Sequence, residues 1–288
     1  MQEQIQTVIP VFAIILVGYL IGKHKELDIQ TLLDIIIYIA APCLIFASIA
    51  SSDINLTDFT TLAVAALAII LIMALLVCVF LKLTKSDKKG LYLPMVFGNT
   101  SYLGYPIALF AFGMDGLSRA IVYDMMNALV IFSFGIYIVH HRNELKEAFK
   151  VPVLYAVVIG LAVNLLNIQI PEALAQPVEM IGMITIPLAL LVLGYKLTEI
   201  KLRGVGIAVL ASVFKILGGF LVALLVIKLF SIDGLARDIL LLQATMPSAV
   251  MAMLLASKYE RDASLVASIV FISTMLSIIT IPLILSIL

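Results

Sequence analysis

Charge is scarce in this chain: Lys, Arg, Asp and Glu together make up 12% of its 288 residues, and 18 basic side chains cancel 18 acidic ones. A soluble domain carries about a quarter of its residues as charges. With 63% hydrophobic residues and a mean hydropathy of +1.20, the chain reads as an integral membrane protein. The net charge of zero says nothing about partners, because charge is sorted by side of the membrane; no nucleic-acid partner is expected. Cysteine is nearly absent as well. Cys43 and Cys78 both fall in apolar runs, where they behave as small hydrophobes and not as a disulfide framework. Catalytic signatures are missing: there is no HExxH, GxSxG or GxxxxGK[ST] pattern, and the three His lie in loops. His140 and His141 read as solvated loop residues, since no second cluster completes a metal set. No metal, cofactor or enzymatic activity is expected. The start "MQEQIQTVIPVF" lacks a basic leader and a small-residue cleavage site, so the first apolar run is expected to stay as a helix.

What is present is a series of apolar runs. About ten, each near the 20 residues needed to cross a bilayer, occupy roughly 5–22, 31–50, 62–82, 91–113, 118–139, 151–167, 176–195, 205–230, 236–257 and 264–287. Their connections are short. Cytoplasmic loops concentrate Lys and Arg, and alternate loops, from Lys23 and Lys25 to Lys258 and Arg261, hold 14 of the 18 basic residues; Arg119, Lys228 and Arg237 fall on the other side, and Lys215 falls inside a run. This predicts an all-α, multi-pass protein of the cytoplasmic membrane with both termini extracellular.

Two runs are broken at their middles: "VFGNTSYLGYPIALF" around Asn99 to Pro106, and "LLLQATMPSAVMAML" around Thr245 to Ser248. Backbone freed inside a bilayer has no water to bond, so such a break persists only where it lines a cavity or is buried in protein. Both breaks are therefore candidates for one binding site. Prolines give an internal repeat: Pro42 and Pro106 are 64 residues apart, Pro187 and Pro247 are 60 apart, and "IYIAAPCLIF" aligns with "MITIPLALLV". Chance is the bland alternative, Pro being common in membrane helices, but matched interruptions favour a repeat. A half with an odd number of spans re-enters the membrane inverted. The expected plan is a 5+5 inverted repeat: residues 1–139, a cytoplasmic linker at 140–150, and residues 151–288.

In the fourth run Gly98, Gly104 and Pro106 free the backbone, and Asn99, Thr100, Ser101 and Tyr102 supply donors and acceptors. A helix restarting at Pro106 would direct its positive end at the gap. In the ninth run Pro247 removes an amide, Thr245 and Ser248 flank it, and a half-helix begins near Ser248; Gln243, one turn earlier, is expected at the same cavity. Opposed amino ends suit a carboxylate or another anion. Asn99 and Thr100 either touch that anion or satisfy carbonyls released by the break, and the excess of polar groups favours contact. Asn164 and Glu179 read as caps or interfacial groups, and Met246, Met251 and Met253 as deformable packing. Two ionisable residues lie at depth, Asp124 and Lys215, where charge is expensive and tends to mark function. Asn127 shares a helical face with Asp124. A pair between Asp124 and Lys215 is the expectation, either a static tie, with a shallow, hydrated Asp124 as the other bland alternative, or an element that couples binding to movement, in which Asp124 exchanges a proton or Lys215 meets the anion.

The combination of "GNTSYLGYP", "DMMNALVIF" and "MPSAVMA" with the five-plus-five plan resembles the auxin efflux carrier family, within the bile acid, arsenite and riboflavin transporter superfamily. The resemblance covers essentially the whole chain. It implies that spans four and nine cross at their breaks and that a mobile transport domain moves against a scaffold as an elevator. The crossing residues would be Asn99, Pro106 and Pro247, with Asp124 and Asn127 nearby. The long hydrophilic loop of the plant hormone carriers is missing, and Ser101 stands where many relatives have Gly, which points away from auxin itself. Short members imply transport of small carboxylates such as malate or malonate. Sodium-using relatives gather carboxylates or amides at the crossing; the broken segments here hold amides and hydroxyls only, so a proton or uniport is expected ahead of sodium. The expectation is a secondary active transporter of a small organic anion in the lipid bilayer, with a homodimer left open. A sodium-coupled symporter is the nearest alternative, and a membrane-embedded sensor or channel the alternative from another class.

Overall fold

In lipid, a chain bonds its own amides or leaves them unbonded, so apolar runs become helices. The structure, a computed structural model, describes residues 2–84, 89–135, 152–259 and 262–288. The expected linker at 140–150, with His140 and His141, lies outside these. Among the described residues the fold is all helical, and its sole β feature is one isolated antiparallel bridge. In chain order the helices are α1 (Gln2–His24), α2 (Ile29–Ile35), α3 (Ala41–Ala50), α4 (Leu56–Leu83), α5 (Tyr92–Val96), α6 (Gly104–Val130), α7 (Pro152–Leu165), α8 (Glu172–Met183), α9 (Thr185–Thr198), α10 (Val205–Phe230), α11 (Gly234–Ala244), α12 (Val250–Lys258) and α13 (Ala263–Leu285).

Six stretches among the described residues are long and apolar enough to cross a membrane: α1, α2 with α3, α4, α8 with α9, α10 and α13. The rest are shorter or, like the 27-residue α6, interrupted. Gly113, at φ 68° and ψ −161°, divides α6 in two, a backbone position that only glycine takes without strain. Gly104 to Phe112 then covers about 13 Å at 1.5 Å per residue, less than half the roughly 30 Å hydrocarbon thickness. α11 and α12, with 11 and 9 residues, are half-spans too.

Local chemistry sets several helix ends. The Asn55 side chain accepts the Asp58 amide at 2.9 Å and so caps α4, while α10 runs between left-handed Gly204 and left-handed Ser231. Pro42 has no amide to give Tyr38, and the helix ahead of it widens into a π turn at Ile36–Ala40.

Two packing groups are visible. α1 lies chiefly on α9, and α3 on α7 and α8, whereas α4, α6, α10, α11 and α13 pack on one another. Small residues bring the first pair together: a Cβ on Gly18 would overlap the Leu191 backbone, and one on Gly194 would overlap that of Ile15. Leu75, Val158, Leu221 and Leu229 stand exposed on the outside, as lipid-facing residues do. Cys43 and Cys78 are both free thiols.

Candidate functional site

The two broken helices cross at their gaps. Between α5 and α6 the backbone leaves helical geometry from Phe97 to Leu103, and between α11 and α12 from Thr245 to Ala249. There Gly98 and Ser248 face each other as an antiparallel bridge: the Asn99 amide donates to the Pro247 carbonyl at 2.7 Å and the Ala249 amide to the Phe97 carbonyl at 3.0 Å. Each break thus supplies hydrogen bonds that the other lost. Side chains take up much of the remainder. Ser248 Oγ donates to the Pro94 carbonyl at 2.7 Å, and its amide donates to Ser273 Oγ at 3.0 Å. Thr245 Oγ1 bonds back to the Leu241 and Leu242 carbonyls at 2.9 and 2.8 Å. Asn127 Nδ2 donates to the Gly98 carbonyl at 3.3 Å and to Thr100 Oγ1 at 3.0 Å.

Asp124 completes this network from α6. Thr100 Oγ1 donates to one of its carboxylate oxygens, and the Tyr105 hydroxyl donates to the other at 2.8 Å. The expected pair with Lys215 is not formed. Lys215 Nζ instead donates to the Ala244 carbonyl at 3.0 Å, the last residue of α11. Asp124 on α6 and Lys215 on α10 each bond neutral partners instead.

A cavity of about 360 Å³ adjoins the crossing. Asn99, Ser101 and Tyr102 from the first break line it, with Asp124 and Asn127 from α6, Ala249, Val250 and Met251 from the second break, the Ile36–Ala41 turn, and Pro152 and Val153 at the start of α7. Unpaired donors gather here. Asn99 is 3% exposed and its Nδ2 has no acceptor. The amides of Val250 and Met251 at the head of α12, and those of Ser101 and Tyr102, likewise find none among the described residues.

The other sequence candidates sit elsewhere. Thr100 is buried within the Asp124 network, and Pro106 is packed in the first turn of α6. Pro247 and Ser248 hold the crossing through the bonds above, Thr245 closes the end of its own helix α11, and none of the three lines the cavity. Gln243 was expected to face the cavity; it is instead fully buried behind Gly104, where an added Cβ would overlap its amide, and neither of its polar atoms is paired. The restart of α6 also differs from expectation. It begins at Gly104, and the Gly104 and Tyr105 amides turn back to the Asn99 and Ser101 carbonyls at 3.0 and 3.2 Å. Coiling of the gap onto its own helix has closed that amino end, so the free amides of this half belong to the gap itself. α12 starts at Val250, two residues beyond Ser248.

This architecture can be set beside known proteins. The family model described as "Membrane transport protein" matches residues 4–148 and 142–285. The chain belongs to this family, the auxin efflux carriers. It is similar to an uncharacterized transporter of Methanocaldococcus jannaschii, 32% identical over 295 aligned positions that take in 96% of each chain. A second uncharacterized transporter, of Methanothermobacter thermautotrophicus, is 30% identical over 294 positions, again 96% of each. As an auxin efflux carrier family member the chain is a multi-pass membrane transport protein.

Several contributors to this carrier's site escaped the sequence reading. Tyr105 was available as the residue before Pro106, but nothing local says that its hydroxyl reaches Asp124. Ser273, which braces Ser248 from α13, carries no sequence signal at all. The π turn was foreshadowed by Pro42, though its place on the cavity wall was not. Asn164 reaches back to the Ser52 carbonyl beyond the end of α3 and does not cap its own helix.

Proposed function

We propose that this protein is a secondary active transporter that moves a small organic anion, a carboxylate of the size of malate or malonate, by alternating access. The cavity at the crossing carries the reading: it combines the unpaired Asn99 Nδ2 with the free amides of Val250 and Met251 in one space of about 360 Å³. Donors of this kind hold an anion without titrating, and hydrogen bonds to a charged group are about twice as strong as neutral ones. The Asp124 carboxylate on the same wall accepts bonds from Thr100 and Tyr105 and is the group for a coupled proton, ahead of sodium.

Ten spans in two inverted halves of five, residues 1–139 and 151–288, account for the irregularities in order: a π turn before Pro42 and a break before Pro106, then an interruption at Ile184 before Pro187 and a break at Pro247. The two packing groups support an elevator in which α4–α6 and α10–α13 move against α1–α3 and α7–α9. The cavity lies between the groups, as a substrate site carried by one past the other would. The bias of basic residues supports extracellular termini in the cell membrane, with the cavity's Pro152 end toward the cytoplasm. The protein acts on its solute by moving it, without a catalytic step.

Counterflow tests the reading. Proteoliposomes preloaded with unlabelled malate or malonate should accumulate the labelled compound transiently and saturably, with a dependence on pH and none on exchanging sodium for choline. Flux of ions without saturation would make the protein a channel, and no movement of any small carboxylate would remove the anion assignment.

A further inference from the structure

Lys215 lies outside the cavity lining, yet it is 2% exposed in the interior of α10. No carboxylate among the described residues pairs with it, and Ala244 O is its acceptor. That carbonyl is one that the break at Thr245 strips of its helical amide, and the carboxyl end of a helix carries partial negative charge. Gly219, one turn beyond Lys215 on the same face, makes the approach possible: a Cβ there would overlap the Ala244 carbonyl oxygen and would lie 3.6 Å from Nζ. From the opposite side comes Gly98, whose added Cβ would lie 3.4 Å from Nζ. Gly98 lines the cavity, and its own carbonyl accepts the Asn127 amide. The ammonium therefore sits directly behind the cavity wall, between a helix carboxyl end and bare glycine backbone. A positive charge is favoured beside such a carboxyl end.

We propose that the Lys215 ammonium, fixed against the Ala244 carbonyl behind Gly98, is a tethered cation of the crossing that occupies the place of a bound metal ion, so that the anion site is assembled without sodium. The final clause rests on the anion reading of the cavity; the remainder stands on the contacts of Lys215 alone. Lys215 is a positioning residue, acting through Gly98 and the end of α11.

Thermal unfolding of the purified protein, with no carboxylate added, tests this separately from transport. Melting would be followed in sodium chloride, choline chloride and methylammonium chloride at equal ionic strength, for the natural chain and for Lys215→Ala, Lys215→Met and Lys215→Arg. The natural chain should melt at one temperature in all three salts. Lys215→Ala should melt several degrees lower in choline and recover most of the loss in methylammonium or sodium, which can enter the vacated space; a merely structural side chain gives no such rescue. Selective stabilisation of the natural chain by sodium would overturn the proposal, as would Lys215→Ala rescued by no cation, or Lys215→Met matching the natural chain. If Lys215→Ala does not fold, Lys215→Arg melting above Lys215→Met supports the tethered charge and the reverse order refutes it. Failure of carboxylate counterflow would leave these melting results untouched and would refute the anion reading alone.

Discussion

Asn99→Ala separates a binding residue from a structural one. Asn99 Nδ2 is buried and unpaired, and an unsatisfied buried donor carries a penalty of about 1–3 kcal/mol. Its removal should therefore leave the melting temperature unchanged or raise it. In the bound state the same nitrogen would donate to a carboxylate, a bond to a charged group worth about 1.5–3 kcal/mol. Losing it weakens binding roughly ten- to a hundredfold, at 1.4 kcal/mol per factor of ten. The assay has two readouts: apparent affinity in counterflow, and the thermal shift that the carboxylate produces. Thr100→Val is the contrast, because it conserves volume but unlinks Asp124 from Asn127; it should lose about 1–3 kcal/mol of stability through buried groups left unpaired. If Asn99→Ala transports with native affinity, or is destabilised as much as Thr100→Val, the donor is not part of the site.

Two further outcomes are expected. Gly219→Ala, which in an ordinary helix interior stabilises by about 1 kcal/mol, should lower the melting temperature, because the new Cβ would overlap the Ala244 carbonyl oxygen; a raised melting temperature would show that α10 and α11 are not in that contact. Asp124→Asn should flatten the pH dependence of counterflow while the protein still inserts and folds, and an unaltered pH profile would exclude Asp124 as the proton carrier.

The crossing was legible because its causes are local. Glycine and proline interrupt a helix wherever they stand, and two such interruptions in matching runs, with Asn99 and Ser101 between the first pair, were enough to locate the cavity wall. What escaped depends on distances between helices. Asp124 and Lys215 were both readable as buried charges, yet whether they meet is decided by how α6 and α10 pack, and Thr100, Tyr105 and the Ala244 carbonyl lie closer. Gln243 failed for a similar reason: Gly104 admits it behind the helix and away from the cavity. The start of α6 was misjudged by two residues because Pro106 tolerates a place within the first helical turn, where an amide is not needed.

The bridge between Phe97–Asn99 and Pro247–Ala249 has a mechanical consequence. Straightening either strand of the bridge alone would strip its neighbour of the Pro247 and Phe97 acceptor bonds inside the membrane, leaving orphan groups at about 2–7 kcal/mol apiece in an apolar setting. Neither rod can re-zip independently. The knot they form is consequently stiff, and under the elevator proposed above the binding bed would travel intact, with gating supplied by the surfaces it slides past.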